Sequence, residues 1–368
     1  MIRSGTTMAA TLVFAAVAAT LAPRAGLAET YAYVGNADSN DISVFKFDAA
    51  TGDMTPVQTA AFVGVEKPGS STPLAVSPDK KVLIAGVRSQ PFQAESFAID
   101  AKTGQLTHAG NGPLADSMAN IAFDRTGKVL FSASYGGNKV AVNPVQANGV
   151  VGAPGQVIPT GLNAHAFLPA PDNRFVFATN LGSDQVLGFA FDAATGTLTA
   201  KDALTVKTPE KSGPRHFIFH PNGKFIYLLH ELNADLAVYA YDADKGTWTE
   251  QQRTTTLPAG FSGKPWAADI HATPDGQFLY ASERGSHTIA AFKVDAASGR
   301  LTLIGSVPTE TQPRGFNIDP TGRYLAAVGE VSNGMTVYRI DAASGALEKL
   351  KSTTVGKKPN WVEFVSLP

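Results

Sequence analysis

The sequence predicts an all-β fold, a seven-bladed β-propeller closed by pairing of its N- and C-terminal strands in one blade. Three observations carry this. A hairpin phrase recurs along the chain, a turn phrase recurs between its copies, and the chain ends each supply half of a missing unit. Repeats of this length mark propellers and solenoids.

The hairpin phrase is Asp-Ala, a variable residue, Thr, Ser or Lys, then Gly. It runs Asp48 to Thr55, Asp100 to Thr107, Asp192 to Thr199, Asp242 to Thr249 and Asp295 to Thr302, with a last copy from Asp341 to Glu348. A worn copy, Gln146-Ala147-Asn148-Gly149, fills the one gap. Asp caps such a turn through its side chain, and Gly supplies the positive φ that lets the chain re-enter a strand. Spacings of roughly 45 to 53 residues suit a four-stranded blade.

The turn phrase sits between two β-rich runs, as in Ala75 to Asp79, Phe219 to Gly223 and Ala272 to Gly276. Further copies are Phe123 to Gly127, Ala170 to Asn173 and Ile318 to Gly322. Short strands at this density, without helical periodicity, exclude a helical fold. Six first-strand, turn and second-strand units are complete. The seventh is split between Lys358 to Phe364, a first strand without its turn, and Tyr31 to Asn36, a second strand without its first. Joining them removes two exposed sheet edges. A β-sandwich gives no reason for the two ends to complement each other.

The chain divides into two regions. Residues 1–28 read as a secretory signal peptide: a basic start, Met1 to Arg3, an apolar core from about Met8 to Leu21, and small residues up to a cleavage site after Ala28. That core is shorter than the roughly 20 residues of a membrane span, and Pro23 and Arg24 stop it from extending further. Residues 29–368 form the propeller, expected in the periplasm and free of the membrane once the leader is cleaved. The chain has no cysteine, which excludes disulfides, thiol nucleophiles and thiolate metal sites. A formal charge of −1 without charge blocks points away from nucleic acid and from polybasic membrane contact.

In a propeller the first strand of each blade lines the axis, so equivalent positions form rings. Units align on the turn proline, with Arg125 in its place in one of them. Four residues before it stand Leu74, Ile121, Phe167, Phe217, Ile270, Phe316 and Val362, an apolar packing ring. Six before it stand Thr72, Ala119, His165, Arg215, Ala268, Arg314 and Asn360. Ten after it, in the loop back to the same face, stand Arg88, Tyr135, Leu181, Glu231, Arg284 and Glu330. His165, Arg215, Glu231, Arg284 and Arg314 should therefore converge on one funnel, with Asp269, His271 and His216 nearby. Inter-blade salt bridges such as Arg215 with Glu231 are the plain alternative. Three arginines exceed the carboxylates assigned beside them, however, and surplus positive charge in a concave site anticipates an anion or a developing oxyanion.

The strings Gly213 to Gly223 with Glu231-Leu232-Asn233, Trp266 to Gly276, and Thr309 to Phe316 resemble the bacterial propeller-type 6-phosphogluconolactonases. Their superfamily includes fungal carboxymuconate-lactonizing enzymes and exported gluconolactonases of this fold. The resemblance implies a site at one end of the channel built on a histidine, arginines and a glutamate, matching His165, Arg215, Glu231 and Arg284, with Arg314 alongside. It also implies a small sugar lactone as partner, and work without a cofactor or metal. The leader shifts the expectation from a phosphorylated substrate to an unphosphorylated aldonolactone such as glucono-1,5-lactone.

Hydrolysis of a lactone needs an activated water, oxyanion donors and a proton for the leaving alkoxide. Glu231 or His165 is expected as general base, titrating near neutrality after modest tuning. Arg215 and Arg284 are the expected oxyanion donors. Arg314, Asn360, Asp269, His271 and His216 are expected to bind substrate. A metal alternative would use Asp269 and His271, two apart on one strand. A 6-phosphogluconolactonase, a muconate-type cycloisomerase and a non-catalytic protein-binding propeller are the competing functions.

Overall fold

The computed structural model of the chain describes residues 1–2 and 28–368. The expected signal peptide falls on residues 3–27 for nearly all its length and so lies outside the described residues. Seven sheets follow one another around a ring, six of four strands and one of five. The five-stranded sheet adds a two-residue strand, Val206–Lys207, against Gln185–Asp192. Among the described residues no helix is long and apolar enough to cross a membrane.

The ring closes as the split unit requires. Strand Glu29–Asn36 lies antiparallel to Pro359–Leu367, with Glu29 opposite Leu367 and Val34 opposite Val362. Backbone amides of Ala37 and Asp38 extend the seam onto the Lys358 and Lys357 carbonyls, each at 3.1 Å. The C-terminal strand thus becomes the innermost of a sheet ordered Pro359–Leu367, Glu29–Asn36, Asp41–Asp48, Asp53–Ala61.

The recurring hairpin does two jobs. Within its own blade, the Asp48 carboxylate accepts the Ala50 amide at 2.8 Å and Gly52 turns at φ +81°. Between blades, the hairpin presents a carbonyl to a tyrosine of the preceding second strand. Tyr33 donates to Gly104 O at 2.8 Å, Tyr227 to Gly299 O at 3.0 Å, Tyr280 to Gly345 O at 2.8 Å, and Tyr324 to Ala50 O at 3.0 Å. Each such bond is worth on the order of 1 kcal/mol net, and each buried phenol would be costly without it. The apolar clusters sit between neighbouring blades in the same way. One joins Tyr31, Tyr33 and Val44 of the closing blade to Leu74, Leu83 and Phe97 of the next.

The packing ring is observed: Leu74, Ile121, Phe167, Phe217, Ile270, Phe316 and Val362 are all at most 2 % exposed. The first strands nevertheless depart from simple alternation. Six of them carry a bulge, at 118–120, 164–167, 214–216, 267–270, 313–315 and 359–361. In a straight strand, residues six and four before the turn would share a face. The bulge re-aims the outer residue, so Arg215 turns away from the packing ring that holds Phe217.

Candidate active site

The bulged strand ends and the second-strand loops bring the arginines together around Glu231. Arg215 Nε lies 2.8 Å from Glu231 Oε2, and Arg284 Nη2 lies 2.9 Å from the same oxygen. Trp266 Nε1 donates to the other carboxylate oxygen at 3.2 Å, and its ring lies 4.0 Å beneath the Arg284 guanidinium. Arg314 pairs instead with Glu330, at 3.0 Å. The ion-pair alternative is therefore observed at three contacts, yet it leaves positive charge over. Arg88 joins the cluster with only hydroxyl partners, Ser71 at 2.7 Å and Ser117 at 3.1 Å. Four guanidiniums thus meet two carboxylates. Burial, with Arg314 and Arg215 nearby, pulls the Arg88 pKa down to about 10.

Arg88 stood in the aligned loop ring but was not expected in the convergent set. Its ring neighbours Glu231, Arg284 and Glu330 were the signal for it. Arg284 makes backbone bonds as well as its ion pair. Its Nε donates to Trp266 O at 3.2 Å and its Nη2 to Ala267 O at 3.1 Å, in addition to Glu231. That commits two of three nitrogens to holding the loop and the carboxylate and leaves Nη1. On Arg215, Nε is taken by Glu231 and Nη1 donates to the Ala268 carbonyl, which leaves Nη2. A cleft of about 430 Å³ beside the cluster is lined by Lys264, Trp266, Arg284, His287 and Gln312.

Neither expected base is tuned towards neutrality. Burial pushes the Glu231 carboxyl up, but Arg215 and Arg284 outweigh it and hold it below the ordinary carboxylate range. Glu231 is thus a fixed counter-charge, with Oε2 held by both arginines and Oε1 by Trp266. His165 is displaced the same way for another reason. Burial, then the fields of Arg215 and neighbouring cations, push it well below the usual imidazole range. It is 4 % exposed, stands edge-on to Tyr135 at 5.9 Å, and its buried Nδ1 has no hydrogen-bond partner. A neutral imidazole is the form that accepts a proton.

The remaining expected binders divide. Asn360 is 1 % exposed and its amide is spent on the fold: Oδ1 accepts the Thr72 amide at 2.8 Å, and Nδ2 donates to Lys358 O at 2.8 Å. A Cβ on Gly315 would collide with the Asn360 backbone, which shows how tightly this seam is packed. Asn360 therefore buttresses the closing strand through one oxygen lone pair and one N–H of its amide. Asp269, His271 and His216 do gather, but around the axial channel below the arginines. They line a cavity of about 380 Å³ together with Asn120, Trp361 and Glu363 and with the apolar Ala75, Ala122, Leu168 and Ile218. Asp269 Oδ1 meets His216 Nδ1 at 2.8 Å, and Oδ2 meets His271 Nε2 at 3.3 Å. Among the described residues, no set of three or more His, Asp or Glu side chains is arranged to hold a metal ion.

One carboxylate sits between two imidazoles that shift in opposite directions. Burial, then Arg215, presses His216 down to about 4 despite Asp269. Burial also disfavours charge on His271, but Asp269 outweighs it and raises that ring. Asp269 itself is held far below the carboxylate range, since His271 and His216 overcome its burial. Glu363, which sequence reasoning missed, is raised by burial to about 7 even though it accepts Trp361 Nε1–H at 2.8 Å. It stands three before the absent turn of the last unit. The corresponding ring reads Ala75, Ala122, Leu168, Ile218, His271, Asn317, Glu363, so alignment at that position holds the signal.

Residues 25–364 match the family described as lactonase, seven-bladed β-propeller. The chain is 40 % identical over 335 residues to a 6-phosphogluconolactonase of Pectobacterium carotovorum, covering 91 % of this chain and 98 % of that protein. It is equally identical over 332 residues to one from Yersinia pestis, covering 90 % and 97 %. Among solved structures it is similar to the periplasmic gluconolactonase of Pseudomonas aeruginosa, with a TM-score of 0.84 and 30 % identity over 92 % of this chain and all of that one. A putative 6-phosphogluconolactonase from Bacteroides uniformis matches with a TM-score of 0.83 and 30 % identity, covering 92 % and 99 %.

Proposed function

The chain belongs to the seven-bladed β-propeller lactonase family, and we propose that this sugar-lactone hydrolase acts on unphosphorylated aldonolactones such as glucono-1,5-lactone, in the periplasm. The observation that carries lactone chemistry is the surplus of guanidinium over carboxylate beside a neutral, buried imidazole. A lactone is uncharged until water attacks, and then an oxyanion forms. Fixed positive charge in a site of low dielectric stabilises that state more than the ground state.

In this mechanism His165 takes the proton of the attacking water and returns it to the leaving alkoxide. Arg215, through Nη2, and Arg88 face the developing oxyanion. Glu231 holds Arg215 and Arg284 in place and keeps the cluster from carrying a larger charge. Arg314, paired with Glu330 rather than with Glu231, positions a ring hydroxyl. The choice of unphosphorylated substrate and of the periplasm rests on the leader-like first 28 residues, and similarity to a periplasmic gluconolactonase supports it.

A 6-phosphogluconolactonase is the second reading. Relatives bearing that name are 40 % identical, and Arg88 has no carboxylate partner to compete with a phosphate. A pH-stat assay on glucono-1,5-lactone, corrected for spontaneous opening, tests the proposal. Wild-type protein should accelerate opening, and Arg215→Lys, which keeps the charge but loses the fork, should cost on the order of 10²-fold. Full activity in that variant would remove Arg215 from the chemistry.

A further inference from the structure

A file of acid–base side chains runs down the propeller axis, and the lactone site accounts only for its upper end. His165 stands at the top, its ring 5.0 Å from that of His216 between centroids. Each of these two rings has one buried nitrogen without a hydrogen-bond partner among the described residues, Nδ1 of His165 and Nε2 of His216. From His216 the file continues through Nδ1 to Asp269 Oδ1 at 2.8 Å, then from Oδ2 to His271 Nε2 at 3.3 Å. His271 opens into the axial cavity, which Glu363 also lines.

Packing alone does not explain this file. Positions equivalent to His271 and Glu363 in four other blades hold Ala75, Ala122, Leu168 and Ile218, and these line the same cavity, so apolar residues serve in that bore. Buried polar groups are nearly always paired, and two unpaired ring nitrogens on neighbouring histidines call for a reason. We propose that His165, His216, Asp269 and His271 form a proton path from the arginine site to the axial cavity, with Glu363 as its outlet. This inference rests on reading the arginine cluster as the lactone site.

The reaction supplies the proton. Hydrolysis adds one water, breaks the acyl carbon–oxygen bond and forms an alcohol and a carboxylic acid. The proton that His165 took from water has gone to the alkoxide, so the net proton of each turnover is the product's carboxyl proton, which the neutral His165 accepts as the acid ionises. His165 is nearly sealed from solvent, and Arg215, Arg314 and Arg88 bias it against keeping a proton. At the lower end the field reverses, for Asp269 and Glu363 both favour charge on His271. A proton therefore moves down a potential gradient built into the fold. Each imidazole on the way accepts at one nitrogen and releases from the other. Glu363, poised at about 7, exchanges with cavity water in the range where the enzyme works.

The test is buffer dependence of turnover in the full protein after leader removal. His271→Gln and Glu363→Gln should lower kcat roughly tenfold in about 1 mM buffer, with KM nearly unchanged, and about 100 mM imidazole should restore most of the loss. Wild-type turnover should be insensitive to buffer concentration. Glu363→Gln is isosteric, so its melting temperature separates misfolding from a lost path. Variants that keep wild-type kcat in dilute buffer, or whose loss no buffer restores, would overturn the path while leaving the lactonase reading intact. A wild-type protein that opens no lactone would overturn both.

Discussion

Replacing Glu231 with Gln keeps the shape of the side chain and removes the one charge that two buried arginines share. Arg215 and Arg284 side chains are 2 % and 4 % exposed, and that of Glu231 is 12 %. Solvent does little to screen them. Breaking such a pair leaves uncompensated buried charge, worth about 3–5 kcal/mol. At about 2.1 cal/mol/K of unfolding entropy per residue, a propeller spanning residues 29–368 shifts by roughly 1–2 °C per kcal/mol, so a drop on the order of 5 °C in Tm is expected at pH 7. The pH dependence fixes the cause. Glu231 has a folded pKa below its unfolded value, so its contribution is present above the unfolded pKa and lost as pH falls through the folded one. The difference between wild type and variant, followed by calorimetry, should therefore shrink on acidification below about pH 4.5. Activity should fall as well, because Arg215 loses its tether. A variant within a degree of wild type at pH 7, or a difference that grows on acidification, would refute the reasoning.

Three further perturbations act on contacts already described. Deleting residues 359–368 removes the innermost strand of the closing blade and should lower Tm by well over 10 °C or prevent folding, checked by circular dichroism of the purified protein. Glu363→Gln should stabilise the protein at pH 8 by on the order of 1–3 kcal/mol and have little effect at pH 4. A raised carboxyl contributes stability below its unfolded pKa and loses it as pH rises through about 7, and denaturant titrations at both pH values check this sign. Arg88→Met should lower kcat/KM by about tenfold for a neutral lactone and by about 10²-fold or more for a 6-phospho lactone if the second reading holds, which paired kinetics would separate.

The sequence carried the architecture because each blade repeats its turn chemistry. Gly52 and its counterparts need a positive φ, and that requirement leaves a mark at every hairpin. Closure was legible for the same reason, since Val362 continues the apolar ring of Phe316 and Ile270. The arginine cluster was legible as a ring, but partner choice was not. That Glu231 holds two arginines while Arg314 turns to Glu330 depends on the bulges at 214–216 and 313–315, which leave no signature in residue type. Asn360 looked like a ligand group because an amide at the channel mouth is unusual. Its amide pairs with backbone across the seam, a contact between residues 288 apart in sequence that no spacing rule reveals. The lowered pKa values of Glu231 and His165 were not legible because burial and neighbouring guanidiniums act through distances that spacing does not encode.

The most direct measurement is a comparison of kcat/KM for glucono-1,5-lactone and its 6-phospho form, using residues 29–368 purified without the leader. The account predicts enzymatic opening of both rings, with the unphosphorylated lactone equal or better. A tenfold or greater preference for the phosphorylated lactone would contradict the proposed substrate and make Arg88 the phosphate contact, and no acceleration of either would contradict the assignment of the arginine cluster as a lactone site.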